Sequence, residues 1–519
     1  WLPYTGGSAV NWQLSVSTSA WKSGDRYRIK SRAKDKTKHS ANIEDVSTKP
    51  GNIFTLDNIA PQSTIVQPEA KGYNQLDELR VTATDSGSGT YPAGVGKVKI
   101  SLQIDPNGSP PGNFWDGTNG PGHFTKSEEE WIEATWSAPY WRVTITSTTW
   151  TSGYQYRIRA KAEDSVPDNP NVEAAGSGVI FSIDNLAPTS VFIAPEDGKS
   201  YNSLAQIEGT ASDDASGVKE IWITILNQTA IPNVYYQDPG WDTGIKWLKC
   251  TGTTEWYYIS PSWDSATQYK IDVKAIDNTD NQETPHSATF LMDNQAPDTV
   301  MVSPSGNYQN SVLSISGTSS DDYSGVKEVW VKIRDITAEP DWYWTGAGWG
   351  EGDNWVKAST PTATSWSYGN PPTITWQTGH EYWITPRGTD NAGNTETSLS
   401  TSTFIFDSSE PDSIVSLPQE GSYKKSLTQI SGTAEDKPIG AGLVNAGLKD
   451  VWIRIRDITS EPDKWWTGTE WSTSTIKYVK VTGTSTWTYS FNDNNWTSGY
   501  EYWINVKAYD NVPNEEINI

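Results

Sequence analysis

The chain has 519 residues, with 63 Asp and Glu against 39 Lys and Arg, and a formal net charge of −24. Such a surface repels phosphates, so no binding to nucleic acid is expected. No apolar run approaches the roughly 18 residues of a membrane-spanning helix, which predicts no membrane span in this segment. The single cysteine, Cys250, cannot form an intrachain disulfide.

One motif, Tyr-x-Ile-x-x-x-Ala-x-Asp, repeats along the chain. It occurs at 27–35, 156–164, 269–277, 382–390 and 502–510, with glycine at the alanine position of the fourth copy. The spacing inside the motif is constant, whereas the spacing between copies varies, as expected when insertions fall in loops. The chain is therefore predicted to be an array that begins inside a repeat and ends soon after the last motif, a window on a longer protein.

A second motif separates these copies and is named the joint. Asp-Asn-x-Ala-Pro begins at Asp57, Asp184 and Asp293, and a degraded copy begins at Asp407. Proline lacks an N–H and biases the preceding residue toward an extended shape, which predicts short, stiff joints. The joints divide the chain into a partial unit 1 (1–56) and unit 2 (57–183), unit 3 (184–292), unit 4 (293–406) and unit 5 (407–519), the last lacking a final strand.

Each unit alternates apolar and polar residues with a period of two. In unit 3 a first alternating run covers 207–213 and a second has Ile221, Ile223 and Ile225 on one face. Such runs indicate half-buried strands, and no useful helical period occurs. The tyrosine that opens each repeated motif resembles the tyrosine corner of immunoglobulin-like domains. The predicted fold is all-β, with tandem immunoglobulin-like β-sandwich domains in a linear rod.

The combination of the joint, the 209–218 segment Gly-Thr-Ala-x-Asp-x-x-Ser-Gly-Val and the Tyr-to-Asp motif resembles the immunoglobulin-like tandem repeats of large bacterial surface adhesins and extracellular filament proteins. The resemblance spans the whole chain. It implies an extracellular or cell-surface protein that acts as a stalk, spacer, adhesive shaft or filament. The implied partners are neighbouring copies of itself or other surface proteins. The Trp-x-Gly insertions at Trp115, Trp344 and Trp466 depart from a plain spacer.

Repeated acids are expected to converge at one end of each sandwich, because the joint and the loops after the second and sixth strands lie there. Several carboxylates together suit Ca²⁺, which takes six to eight oxygen ligands, so calcium-stiffened joints are one hypothesis. The alternative is that each Asp only caps its own turn. The candidate ligands are Asp57, Asp85 and Asp164; Asp184, Asp213, Asp214 and Asp277; Asp293, Asp321, Asp322 and Asp390; and Asp407, Asp436 and Asp510.

Tryptophans define a second candidate surface. By strand alternation Trp222, Trp330 and Trp452 point away from the core, near basic residues, and Trp344 and Trp466 lie in the insertions. They could stack on sugar rings, as in a carbohydrate-binding module array of a larger secreted polysaccharide-active protein, or form contacts between chains. The alternative is a second small core laced by cation–π contacts.

Motifs for catalysis are weak. The four histidines are isolated, with no zinc-binding spacing and no nucleophile elbow or phosphate loop, so no enzymatic activity is expected.

Overall fold

A computed structural model describes residues 1–3, 6–7, 11–36, 40–87, 89–362, 364–369 and 374–517. Within these ranges the secondary structure is β-strand, with three short 3₁₀ turns at Thr18–Ala20, Ser147–Thr149 and Asp493–Asn495. The all-β prediction is confirmed.

Unit 1 contains two small antiparallel pairs, β1 with β2 and β3 with β4. Its strands are β1 Gly6–Gly7, β2 Trp12–Gln13, β3 Arg26–Ile29 and β4 Asn52–Thr55.

Unit 2 is a sandwich of a four-stranded sheet, ordered β12-β13-β7-β5, and a seven-stranded sheet, ordered β10-β9-β8-β14-β15-β6 with β11 also on β8. Its strands are β5 Gln62–Gln67, β6 Gly72–Tyr73, β7 Glu78–Thr84, β8 Val95–Ile104, β9 Phe114–Trp115, β10 Phe124–Lys126, β11 Ile132–Glu133, β12 Thr135–Ser137, β13 Tyr140–Thr144, β14 Gln155–Asp164 and β15 Val179–Ile183.

Unit 3 repeats this plan, with sheets ordered β16-β18-β24-β23 and β17-β26-β25-β19-β20-β21, and β22 also on β19. Its strands are β16 Thr189–Ala194, β17 Lys199–Tyr201, β18 Gln206–Ser212, β19 Val218–Asn227, β20 Val234–Tyr236, β21 Trp241–Asp242, β22 Leu248–Lys249, β23 Thr251–Gly252, β24 Glu255–Ile259, β25 Thr267–Asp277 and β26 His286–Met292.

Unit 4 has sheets ordered β27-β29-β35-β34 and β28-β37-β36-β30-β31-β32, with β33 also on β30. Its strands are β27 Asp298–Ser303, β28 Tyr308–Gln309, β29 Ile315–Ser320, β30 Val326–Asp335, β31 Trp342–Trp344, β32 Trp349–Gly350, β33 Val356–Lys357, β34 Ser359–Thr362, β35 Ser365–Tyr368, β36 His380–Asp390 and β37 Ser402–Phe406.

Unit 5 has a smaller sheet, β38-β39-β44, and a larger one, β42-β41-β40-β43 with β45 also on β40. Its strands are β38 Asp412–Leu417, β39 Gln429–Glu435, β40 Leu448–Asp457, β41 Lys464–Trp466, β42 Trp471–Ser472, β43 Val479–Lys480, β44 Thr486–Ser490 and β45 Tyr502–Asp510.

In units 2 to 5 the core lies between the two sheets and is built largely from the predicted alternating residues. Ile221, Ile223 and Ile225 are fully buried, and they pack with other residues of unit 3 only. The predicted tyrosine corner is also confirmed: the Tyr269 hydroxyl accepts a hydrogen bond from the main-chain N–H of Asp264 at 3.1 Å. The same contact, five residues back, occurs at Tyr27, Tyr156, Tyr382 and Tyr502.

A glycine in the smaller sheet makes room for a core tryptophan. In unit 4 the Trp366 ring covers Gly317, and a Cβ at Gly317 would overlap both that ring and the Val300 carbonyl oxygen. Gly209 with Trp256, and Gly432 with Trp487, repeat the arrangement. The alternating Ile-x-Gly of the sequence is therefore a packing requirement.

We expect Gly317→Ala to destabilise unit 4 by about 1–3 kcal/mol, because the added methyl forces the packed ring and strand apart. Differential scanning calorimetry would show one transition moving to lower temperature. Gly348→Ala is the matched control, since a Cβ there meets no atom within 4 Å. Equal shifts for the two variants would contradict this packing role.

Candidate metal centre at the joints

Three carboxylates meet at each of four joints. In unit 3 Asp184 follows β15, Asp213 follows β18 and Asp277 ends β25, so all three lie at one end of the sandwich. One ligand oxygen from each lies within 4.8 Å of the others. The four groups, named the aspartate triads, are Asp57, Asp85 and Asp164; Asp184, Asp213 and Asp277; Asp293, Asp321 and Asp390; and Asp407, Asp436 and Asp510.

Main-chain N–H groups hold these carboxylates in place. Asp213 Oδ2 accepts from the N–H of Gly217 at 2.7 Å. Asp277 Oδ1 accepts from the N–H groups of Thr279 at 2.8 Å and Asn281 at 2.9 Å. These contacts agree with the alternative that each Asp caps its own turn, because the carboxylates accept hydrogen bonds from N–H groups of their own loops.

The donor set also fits a hard cation. It consists of oxygen atoms alone, and the three oxygens of each triad, which lie within 4.8 Å of one another, are close enough to share one Ca²⁺ at about 2.4 Å. In unit 2 the Asp85 Oδ1 atom is buried and has no hydrogen-bond partner among the described residues. Ca²⁺ bound there would be held by the three carboxylates, with water completing its coordination.

Burial and mutual repulsion affect the triads differently. In unit 5, burial first, and then the charges of Asp407 and Asp510, raise the pKa of Asp436 to about 6. In unit 3, burial opposes ionisation of Asp184, but hydrogen bonds from Ser216 and Ser152 outweigh it and lower its pKa. At Asp436, therefore, the capping hydrogen bonds do not outweigh burial and repulsion, and a cation would relieve that repulsion.

Two predicted ligands are not part of any triad. Asp214 and Asp322 directly follow Asp213 and Asp321, but both are exposed and lie outside the converging groups. Their inclusion in the candidate set is wrong, because adjacent residues in a turn direct their side chains differently and only the first of each pair faces the joint.

An asparagine completes each triad and was missed in the sequence analysis. Asn281 Nδ2 donates to Asp277 Oδ2 at 2.6 Å and to the main-chain oxygen of Asp184 at 2.8 Å. It therefore ties the turn after β25 to the joint. The equivalents are Asn171, Asn394 and Asn514, and they are named the joint asparagines.

A buried or half-buried glutamate lies two residues beyond each joint asparagine. In unit 3 Glu283 accepts from the N–H and hydroxyl of Ser190 at 2.8 and 2.6 Å and from the N–H of Ala275 at 2.9 Å. It joins the first strand after the joint to the opposite sheet. The equivalents, named the joint glutamates with Glu283, are Glu173, Glu396 and Glu516. The repeated Asn-x-Glu was the available sequence signal.

The tryptophan surface is only partly as predicted. Trp222, Trp330 and Trp452 are half-exposed on the outer face of the larger sheet. Trp344 and Trp466 instead belong to the cores, at 2% and 5% exposure, and must be removed from the candidate surface. The insertion strands carry them inward, where the indole N–H of Trp344 donates to the Tyr368 hydroxyl at 2.8 Å.

Cations do stack on aromatic rings of this outer face. The Arg387 guanidinium lies 4.1 Å and the Lys332 ammonium 4.6 Å from the centre of the Trp355 ring. The Lys249 ammonium lies 5.9 Å from the Trp222 ring. The outer face is therefore a mixed aromatic and cationic surface, on which the distance between cation and ring differs from one tryptophan to the next.

Within the described residues, no helix is long and apolar enough to cross a membrane.

Neither a family model nor a curated protein matches the sequence. Among solved structures, the fibronectin(III)-like modules of Clostridium thermocellum CbhA are 17% identical, cover 45% of this chain and 94% of that chain, and have a TM-score of 0.22. The FN1-FN3 domains of chicken CNTN1 are 13% identical, cover 67% of this chain and 98% of that chain, and have a TM-score of 0.26. Domains from titin are 15% identical, cover 63% of this chain and 94% of that chain, and have a TM-score of 0.24.

These structures are tandem fibronectin(III)-like or immunoglobulin-like domains, but their TM-scores are too low to support a conclusion about this chain. The fold of this chain is defined by its own sheet order and tyrosine corners. The chain is an array of immunoglobulin-like β-sandwich repeats.

We expect unit 5 to become more stable in EDTA as the pH falls from 7 toward 5. The pKa of Asp436 is about 6 in the folded state and 3.8 as its ordinary value, so the folded state binds the proton more tightly and loses stability as the pH rises between these values. The change between pH 7 and pH 5 is about 1.3 kcal/mol, out of about 3 kcal/mol for the full window between the two pKa values. Calorimetry of wild type and Asp436→Asn checks it, because the variant should show a shallower slope; Asp510 and Glu516, whose pKa values are also raised by burial, keep the remainder. An unchanged slope would contradict the assignment.

We expect Glu283→Gln to destabilise unit 3 by about 1–3 kcal/mol, because the amide cannot accept from all three donors that the carboxylate holds. Hydrogen exchange should accelerate at the amides of Ser190 and Ala275. Glu255→Gln, at an exposed position of the same unit, is the control and should leave both amides protected.

Proposed function

We propose that the chain is part of an extracellular structural and adhesive repeat protein, of the bacterial immunoglobulin-like adhesin or filament class, with joints stiffened by Ca²⁺. The observation that carries this proposal is that a triad acid contacts both units at a joint. Asp184 Oδ1 accepts from the Ser152 hydroxyl of unit 2 at 3.0 Å, and its Oδ2 accepts from the Ser216 N–H of unit 3 at 2.9 Å. Asp57 and Asp407 bridge their own neighbouring units in the same way.

Further hydrogen bonds connect neighbouring units beside the triads. The Tyr91 N–H of unit 2 donates to the Gly24 carbonyl of unit 1 at 2.7 Å. Asn310 Nδ2 of unit 4 donates to the Val512 carbonyl of unit 5 at 2.7 Å. These contacts limit bending between units. A cation that draws the three carboxylates together would also hold in place the loops that form these contacts.

The exterior location is supported by the same chemistry. Sites with few charged ligands and several waters bind Ca²⁺ in the range of about 10⁻⁴ to 10⁻³ M, which suits extracellular calcium concentrations. The net charge of −24 favours solubility and attracts cations. Its partners would be neighbouring copies of itself or other surface proteins.

A second candidate function is a carbohydrate-binding array of a larger secreted polysaccharide-active protein. It is favoured by the half-exposed Trp222, Trp330 and Trp452, which occupy the same position on the outer face of successive units. Glycans would then be the partners. Trp344 and Trp466 do not support it, because they are buried.

We expect the intact chain to bind Ca²⁺ at the joints and Asp213→Asn to remove one of the four sites. Asp214→Asn removes the same charge next to the triad and is the matched control. Isothermal titration calorimetry with CaCl₂ measures the number of sites, and negative-stain electron microscopy in calcium and in EDTA measures the spread of angles between units 2 and 3.

For the unsubstituted chain, the spread of angles between units 2 and 3 should be wider in EDTA than in calcium. In calcium, the spread should be wider for Asp213→Asn than for the unsubstituted chain, and unchanged for Asp214→Asn. Absence of calcium binding by the intact chain, or equal effects of the two variants, would reject calcium-stiffened joints. A narrow spread of angles that persists in EDTA would instead show that the prolines and hydrogen bonds make the joints rigid.

A further inference from the structure

Unit 5 has an open pocket of about 400 Å³ on the outer face of its larger sheet. Its walls include the aromatic rings of Trp452, Tyr478 and Tyr509, and its charged lining consists of Lys449, Lys507, Asp450 and the triad acid Asp510. This volume and mixture of flat rings with a few polar groups are typical of a small-ligand site.

The indole N–H of Trp452 is free for a ligand, unlike that of its counterpart in unit 3. The two tryptophans are equivalent by strand register, since Trp222 pairs with Lys274 and Trp452 with Lys507. Trp222 Nε1 donates to Glu220 Oε2 at 2.8 Å. In unit 5 the shorter Asp450 stands in place of Glu220; it pairs with Lys480, as Glu220 pairs with Lys249, but it does not accept from the indole. Among the described residues nothing accepts from Trp452 Nε1.

A lysine at the pocket rim is also free. In unit 3 the Lys219 ammonium is paired with Asp280 at 2.6 Å. In unit 5 the corresponding residues are Lys449 and Pro513, and Lys449 is exposed and makes no ion pair within the described part of the chain. The exchange of an acid for proline therefore leaves the Lys449 ammonium without the ion-pair partner that Lys219 has in unit 3.

The remaining polar groups of the pocket are already engaged. Lys507 pairs with Glu515, and its ammonium lies 4.2 Å from the centre of the Tyr478 ring. The Tyr478 hydroxyl donates to Asn505 Oδ1 at 3.0 Å. These contacts fix the ring of Tyr478 as a wall, so that the two unpaired donors, Trp452 Nε1 and Lys449 Nζ, select the ligand.

We infer that this pocket binds an acidic sugar, a pyranose that carries a carboxylate. A pyranose ring presents C–H groups that pack on the aromatic walls, its oxygens accept from the indole N–H, and its carboxylate pairs with the Lys449 ammonium. A neutral sugar leaves Lys449 without a partner. The site goes beyond a stiff array, because it gives unit 5 a recognition function that unit 3 lacks in this form.

Isothermal titration calorimetry of the intact chain with trigalacturonate tests this inference, and the trimethyl ester of the same trisaccharide is the neutral probe. Both are measured at one fixed calcium concentration and again in EDTA, because uronates themselves bind Ca²⁺. We expect trigalacturonate to bind at least about tenfold more tightly than its ester, equal to about 1.4 kcal/mol. Binding in either condition supports the site, independently of the fate of the joints.

Three variants test whether these probes bind in the unit 5 pocket. Lys449→Gln should reduce affinity for trigalacturonate about tenfold without changing that for the ester, and the matched Lys219→Gln in unit 3 should change neither. Asp450→Glu should weaken both probes by returning an acceptor to the indole N–H. No binding of trigalacturonate in either condition, or equal effects of Lys449→Gln and Lys219→Gln, would overturn the inference.

Discussion

The hydrogen bond from main-chain N–H groups to a buried joint carboxylate is the interaction on which the rest of the structure depends. Asp184 has 2% exposure and still accepts from groups of two different units. A buried carboxylate without such donors would be strongly destabilising, so the turns that supply the N–H groups must keep their geometry. That geometry sets the positions of the triads, the joint asparagines and the first strand of each unit.

At each joint the same three acids take part in two opposing interactions. N–H donors stabilise each carboxylate singly, whereas three carboxylates within 4.8 Å repel one another. The balance differs from one acid to another. In unit 3 the donors prevail at Asp184, whose pKa is lowered, and in unit 5 repulsion and burial prevail at Asp436. A cation would remove the repulsion and leave the donors in place, which is why stiffening by Ca²⁺ is consistent with capped turns.

Residues on the outer face of the larger sheet differ between units in which the core and the aspartate triads repeat. The core positions must fill a fixed space around a tryptophan that covers a glycine, as at Gly317 and Trp366. Outward residues meet no such constraint, so Glu220 and Asp450, or Asp280 and Pro513, can differ between units that share a fold. An array can therefore keep one mechanical design and acquire recognition at a single unit.

The sequence by itself determined the repeat, the strands and the tyrosine corners, because period-two alternation and fixed local spacing are properties of neighbouring residues. It also brought Asp184, Asp213 and Asp277 together correctly, since sandwich topology places those loops at one end. Only the tertiary structure decided that Asp214 faces solvent, that Trp344 is buried and that Asn281 and Glu283 join the joint to the opposite sheet. These outcomes depend on side-chain direction and on partners up to about a hundred residues away, such as Asn281 and Asp184, and local spacing carries no information about either.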